Sequence, residues 1–310
     1  MTGPLVSVVT PSYNQAGFIG KTLRSVRDQR YAAIEHLVLD AGSTDSTLKV
    51  LEEYAGSYDL RWQVEPDNGM YDAINKGLKR ARGEIVTYLN TDDKYFPWTL
   101  ASVVAAFQRH PEVDIVYGDV VKIDDADGSR TLVFAPPFRP AFVGRIGSLF
   151  QPAVFWRRTV TDELGGFDDS LRFGGDLDLW NRASRRYRFR KLDEVLAAER
   201  LHPAAKTTAF ADEAGAEEAR IRARYVDESD WSSPLTGLAE RARVWAWRRA
   251  YWLAFASAVA APRPTGRWAQ FIAAARPVVH PAILVAAQLP VVGKRFASRA
   301  LELRPLDALE

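Results

Sequence analysis

Over the first 120 residues, short apolar, β-branched runs alternate with stretches whose apolar positions fall three and four apart. Val6-Ser-Val-Val-Thr10 predicts a buried strand, and Phe18, Ile19, Leu23 and Val26 predict the apolar stripe of a helix over 18–27. The pairing recurs: strand His36–Asp40 with a helix near Thr47–Tyr54, strand Trp62–Glu65 with Tyr71–Arg82, and strand Glu84–Leu89 with Trp98–Gln108. Such alternation predicts βαβ units, hence an α/β fold with a mostly parallel central sheet flanked by helices. After Asp114–Tyr117 the pattern changes, and 119–156 reads as short strands and loops around Pro136, Pro137 and Pro140. Leu177–Tyr187 reads as a helix, Phe189–Leu192 and Val195–Leu201 as strands, and 212–226 as a polar helix. Trp231-Ser-Ser-Pro234 breaks the chain. The expected organisation is one domain over 1–234, with halves of about 1–118 and 119–234, and a helical C-terminal appendage over 235–310.

Composition narrows the chemistry. A chain of 310 residues, 47% hydrophobic and 26% charged, has globular rather than disordered usage. It has no cysteine, so disulfides and thiolate metal sites are excluded, and a metal must rest on carboxylates, histidines or water. The start, Met1-Thr2-Gly3-Pro4, lacks a charged n-region and an apolar h-region, so a cytoplasmic protein is expected. The net charge of +2 hides an asymmetry: Arg241–Arg304 holds eleven Lys/Arg and one acid, Glu302, against an acidic remainder.

In open α/β sheets, ligands sit at the carboxyl ends of the strands. Those ends carry Thr10-Pro-Ser-Tyr-Asn14, Asp40-Ala-Gly-Ser-Thr-Asp45, Glu65-Pro-Asp-Asn-Gly69 and Asn90-Thr-Asp-Asp93. Taken singly, most have structural explanations: Ser43-Thr-Asp45 suits a helix N-cap and Asp67-Asn-Gly69 a turn. Asp92-Asp93 differs, because adjacent acids repel and a bound cation relieves the repulsion.

Together with Asp67-Asn-Gly-Met-Tyr-Asp-Ala-Ile-Asn-Lys-Gly77, Gln151-Pro-Ala-Val-Phe155, Gly165-Gly-Phe-Asp168 and Gly175-Asp-Leu-Asp-Leu-Trp180, these pieces resemble family 2 glycosyltransferases over the first ~200 residues. The resemblance implies a GT-A-like (Rossmann-like) fold of the non-processive bacterial type. It implies inverting, metal-dependent transfer of a single sugar from an NDP-sugar, a UDP-sugar first of all, to an acceptor hydroxyl. Pro11, Tyr13, Asn14, Asp40 and Ser43 would then belong to the nucleotide pocket, with Asp40 accepting from the base. Asp67, Asn75 and Lys76 would approach nucleotide or donor sugar. Asp93 would ligate Mn²⁺ or Mg²⁺, with Asp92 facing the ribose or metal and His202 reaching the metal or diphosphate. Asp176 is the expected general base, although the acid that often precedes it in the family is here Gly175. Gln151, Trp156 and Trp180 are the expected acceptor contacts, with core packing the alternative for both tryptophans. Asp178 is expected to pair with Arg182, and Lys206 either assists phosphate or is solvated.

The region 235–310 falls outside the resemblance. Trp245, Trp247, Trp252 and Trp268 lie among arginines, a pattern that favours an anionic membrane surface and a lipid-linked or cell-envelope glycan acceptor. A packed appendage or a homo-oligomer interface is the alternative. Ala250–Ala261 is too short to span a bilayer, Phe271–Val292 is interrupted by prolines and Arg276, and no nucleic-acid motif accompanies the charge. Two other functions fit the residues less well. A sugar-phosphate nucleotidyltransferase would carry a Gly-rich pyrophosphate loop where Pro11-Ser-Tyr-Asn14 stands, and a non-catalytic sugar-nucleotide-binding scaffold would not need Asp93 and Asp176. Processive synthesis lacks its Gln-x-x-Arg-Trp motif.

Overall fold

The computed structural model describes residues 3–133, 135, 136, 138, 140, 143 and 149–225. These belong to the first of two units, 1–228, and the expected appendage over 235–310 lies outside the described residues. The predicted strands and helices form as β1 (Val6–Ser12), α1 (Ile19–Arg27), β2 (Ile34–Asp40), α2 (Thr47–Tyr54), β3 (Leu60–Val64), α3 (Met70–Arg80) and β4 (Ile85–Tyr88). β1 pairs in parallel with β2 and β4, and β2 with β3, so four strands point their carboxyl ends to one rim. Helix α3 buries Tyr71, Ile74 and Leu78, the stripe that its sequence predicts. A Cβ on Gly77 would come within 2.4 Å of Val9, so glycine there lets α3 lie directly on the sheet.

Over 119–156, where short strands and loops are expected, two short strands form, but the first strand of this half is long. After β5 (Lys94–Tyr95) and α4 (Thr99–Arg109), β6 (Ile115–Asp124) runs through to its hairpin partner β7 (Arg130–Val133). β8 (Val154–Arg157) inserts antiparallel between β4 and β6, and leads into α5 (Arg158–Leu164). Helix α6 (Gly175–Ser184) begins two residues earlier than the pattern predicts, which puts Asp176 in its first turn. The two expected strands near 189–201 are one, β9 (Phe189–Leu201), parallel to β6 with a register irregularity between Tyr117 and Val120. Helices α7 (Lys206–Ala209) and α8 (Ala211–Tyr225) close the described chain. The nine-stranded sheet, in the order β3-β2-β1-β4-β8-β6-β9-β5 with β7 on β6, is therefore mixed beyond β4. Because β6 and β9 run parallel to β4, their carboxyl ends reach the same rim. Among the described residues, no helix is long and apolar enough to cross a membrane.

His36 is wholly buried in β2, with one ring nitrogen 2.9 Å from Thr10 Oγ1 and the other 2.8 Å from the Tyr58 hydroxyl. Burial lowers its pKa from 6.5 to about 3. The unfolded chain takes up this proton below pH 6.5 while the fold resists, so the stability His36 contributes is full above that pH and lost as the pH falls toward 3. His36→Gln should flatten the melting temperature between pH 6.5 and 4 relative to wild type. Equal slopes in the two proteins would place the acid sensitivity elsewhere.

Candidate active site

The rim encloses a cleft of about 850 Å³. It is lined by Pro11, Tyr13, Ala41 and Asp67 from the first strands and the loops after them, by Asn90, Asp92, Asp93 and His202, and by Gln151 and Asp176. Distant parts of the chain thus converge on one space.

β4 and β9 deliver their carboxyl ends together. His202 Nε2 lies 3.1 Å from Asp92 Oδ2, and its ring stacks on Phe18 at 4.4 Å. Asp93, the expected principal metal ligand, lines the cleft from a deeply set position. It is only 4% exposed, and its carboxylate accepts the Arg200 backbone N–H at 3.1 Å. Burial, reinforced by the charges of Asp92 and Glu199, pushes its pKa well above the carboxylate range. Asp92 and His202 are the donors that face each other; among the described residues, no group of three His, Asp or Glu side chains forms a complete metal cage.

Asp176 lines the cleft from the first turn of α6. Its Oδ1 accepts the Leu177 N–H at 2.8 Å and lies 3.5 Å from the Tyr71 hydroxyl. Burial raises its pKa to about 6, with Glu218 adding to the rise. The loop ahead of it is clamped by Glu217 of α8, whose carboxylate accepts the backbone N–H groups of Arg172, Phe173 and Gly174 at 3.0, 2.6 and 2.8 Å. These bonds hold the Glu217 pKa down against the effect of burial.

On the nucleotide side, Pro11 and the 57%-exposed Tyr13 face the cleft with Asp67, whose pKa burial raises. Several expected ligands instead hold the rim together. Asp40 is fully buried, and its two oxygens accept from Ser12 Oγ, Ser43 Oγ and the N–H groups of Gly42 and Ser43. Ser43 is spent on Asp40 and on the Asn14 N–H, while Asn14 Oδ1 accepts from Thr44. Asn75 pairs with both backbone groups of Phe167, each at 2.9 Å. Lys76 donates to the Pro66 carbonyl and pairs with Asp72 at 2.9 Å.

Of the acceptor candidates, only Gln151 reaches the cleft, where it donates to the Tyr88 carbonyl and accepts from Asn90. Trp156 and Trp180 are core residues, 0% and 2% exposed, packed edge-to-face at 5.2 Å beneath the site. They fill the volume between β8 and α6, which an apolar environment favours over a sugar face. Asp178 bonds Arg182 as expected, and also Tyr225. Lys206 lines the cleft while donating to the Arg172 carbonyl, and burial followed by the charge of Arg172 lowers its pKa.

Sequence reasoning gave no role to Tyr71, Lys122 and Arg200 in the lining, or to Glu217. Glu217 had a signal: it lies with Ala214 and Ile221 on the buried stripe of α8, where an acid needs partners. Tyr71 stands inside the quoted Asp67–Gly77 motif, but its spacing on the helix is that of an ordinary core residue.

A model of Glycosyl transferase family 2 matches residues 7–160. A PGL/p-HBAD biosynthesis glycosyltransferase of Mycobacterium bovis (strain BCG / Pasteur 1173P2) is 36% identical over 181 residues, 57% of this chain and 69% of that protein. Two solved structures share the fold. S. aureus TarS 1–349 in complex with UDP-GlcNAc has a TM-score of 0.61 at 20% identity, covering 95% of this chain and 88% of its own. The mannosyltransferase PcManGT from Pyrobaculum calidifontis, in complex with GDP-Man and Mn²⁺, has a TM-score of 0.57 at 20% identity, covering 97% and 87%. The chain belongs to glycosyltransferase family 2, and its fold is GT-A-like.

The placement of Trp156 sets a test. Trp156→Ala should cost about 3–5 kcal/mol of stability in urea unfolding, as for a large buried aromatic side chain. A cost below about 1 kcal/mol together with a raised acceptor KM would return Trp156 to the cleft.

Proposed function

We propose that this glycosyltransferase is inverting and metal-dependent, and that it moves one sugar from an NDP-sugar, a UDP-sugar first of all, to an acceptor hydroxyl. One observation carries the reading: Asp176 and the Asp92–His202 pair line the same cleft. Asp176 is the general base. It takes the proton of the acceptor hydroxyl as that oxygen attacks the anomeric carbon, and the bond from that carbon to the diphosphate breaks on the other face. A base that titrates near 6 is ionised at neutral pH and still strong enough to accept a proton.

Asp92 and His202 would hold Mn²⁺ or Mg²⁺. An oxygen and an imidazole donor suit Mn²⁺ well, and the incomplete cage leaves positions for diphosphate oxygens and water. The ion, when bound, neutralises charge on the departing diphosphate. Asp93 fixes the loop that carries Asp92, and Pro11, Tyr13 and Asp67 shape the nucleotide side, where Asn14, Asp40, Ser43, Asn75 and Lys76 act through the loops they tie. Gln151 faces the acceptor. UDP-GlcNAc bound to TarS and GDP-Man with Mn²⁺ bound to PcManGT support the donor class and the metal. The basic, Trp-rich 241–304 segment supports an acceptor at an anionic membrane surface, a lipid-linked or cell-envelope glycan at the cytoplasmic face.

A thermal-shift screen of nucleotide sugars with and without Mn²⁺ tests the donor. A UDP-sugar should raise the melting temperature only with the ion, by mass action on the folded state. Asp92→Asn and His202→Ala should abolish that shift, whereas Asp93→Ala, which removes the acceptor of the Arg200 N–H, should lower the melting temperature of the free protein. An undiminished shift in both former variants would remove the pair as the metal site.

The base assignment predicts a pH profile. The active form is the carboxylate, so kcat should be level above neutrality and fall as the pH drops through about 6. Asp176→Asn should lower kcat by about 100- to 10,000-fold with donor binding retained. Wild-type transfer by this variant would eliminate Asp176 as the base.

A further inference from the structure

We infer that Tyr71 is the positioning residue of the Asp176 base, with its ring occupying the space Gly175 leaves and its hydroxyl tying the base loop to α3. The inference rests on the assignment of Asp176 as base.

The contact is built from both partners. A Cβ on Gly175 would lie 2.8 Å from the Tyr71 ring, so glycine there and tyrosine on α3 are matched by volume. Beyond the ring, the hydroxyl donates to the Phe173 carbonyl at 2.7 Å, accepts the Asp176 N–H at 3.4 Å and lies 3.5 Å from Asp176 Oδ1. One phenol thus touches the carbonyl, the amide and the carboxylate of the segment that presents the base. The ring is itself fixed: Phe167 stacks on it at 5.5 Å and 12°, and Asn75 holds the Phe167 backbone by two bonds. Phenylalanine would pack equally well, so packing alone gives the hydroxyl no role.

Other charged and titratable groups surround the base. Glu217 and Glu218 face it from α8, Tyr88 from β4, and Asp178 shares its helix. The charge of Glu218 opposes ionisation of Asp176, whereas the Tyr71 hydroxyl, whose one proton goes to the Phe173 carbonyl at 2.7 Å and is shared with Asp176 Oδ1 at 3.5 Å, favours it.

The test is Tyr71→Phe, which keeps the ring against Gly175. The Asp176 carboxyl is titrated by ¹³C NMR in the resting protein, and transfer is followed against pH. Loss of the hydroxyl should move the carboxyl midpoint upward from about 6, and the acid limb of kcat with it. It should lower kcat about tenfold near neutrality and leave donor KM within about twofold. Gly175→Ala, which displaces the ring, should move the midpoint in the same direction. An unmoved midpoint in both folded variants, or a fall in melting temperature with the midpoint and acid limb unchanged, would reduce Tyr71 to packing and overturn the inference. If the midpoint moves but Asp176→Asn still transfers sugar, the contact stands while the base assignment falls, and the positioning role falls with it.

Discussion

The bond from the Arg200 backbone N–H to the buried carboxylate of Asp93 joins the two parts of the chain that the site needs. Asp93 follows β4, and Arg200 stands at the end of β9, with the whole second half of the sheet between them in sequence. Once the two are joined, Asp92 and His202 come face to face at 3.1 Å. The loop is pinned from below as well: Thr22 of α1 donates to the carbonyls of Thr91 and Asp93 at 2.6 and 2.7 Å. Burying a carboxyl is unfavourable unless its oxygens find donors, and this one finds Arg200 and Asn90. The adjacent acids therefore divide their work: Asp93 is fixed in the protein, and Asp92 is presented to the cleft.

The same division explains what was legible in the sequence. Period-2 and period-3.6 patterning located β1 to β4 and their helices, because local burial alone decides those elements. The long run of β6 and the single strand β9 were not legible. Their pairing is long-range, and the polar Asp193 and Glu194 interrupt the apolar signal that the β6–β9 ladder overrides. The resemblance named the residues at the strand ends, and the rim is where they lie. It could not say which of them face the ligand space. Asp40 sits at a strand end as expected, yet four donors within the fold consume its oxygens. The orientation of a side chain depends on competing donors that come from other parts of the chain, and a motif does not count them.

The tryptophans make the same point for apolar groups. Trp180 lies four residues from Asp176 on the same helix, close enough in sequence to look like part of the site. On α6 that spacing keeps it on the same face one turn further along, where it packs against Trp156 and is buried in the core. Its position makes it a foundation: Trp156 also meets Phe167 edge-on at 6.2 Å, and Phe167 stacks on Tyr71. A continuous set of rings thus runs from the core to the base loop.

Burial raises the proton affinity of both Asp93 and Asp176, but to different ends. Around Asp93 the protein supplies donors to the carboxylate and leaves it little access to solvent. At Asp176 the described bonds fall on Oδ1, from Leu177 and toward Tyr71, and the residue lines the cleft. Glu217 of α8 spends its carboxylate on three backbone amides of the loop ahead of Asp176, so the start of α6 is fixed by bonds that close before the helix begins.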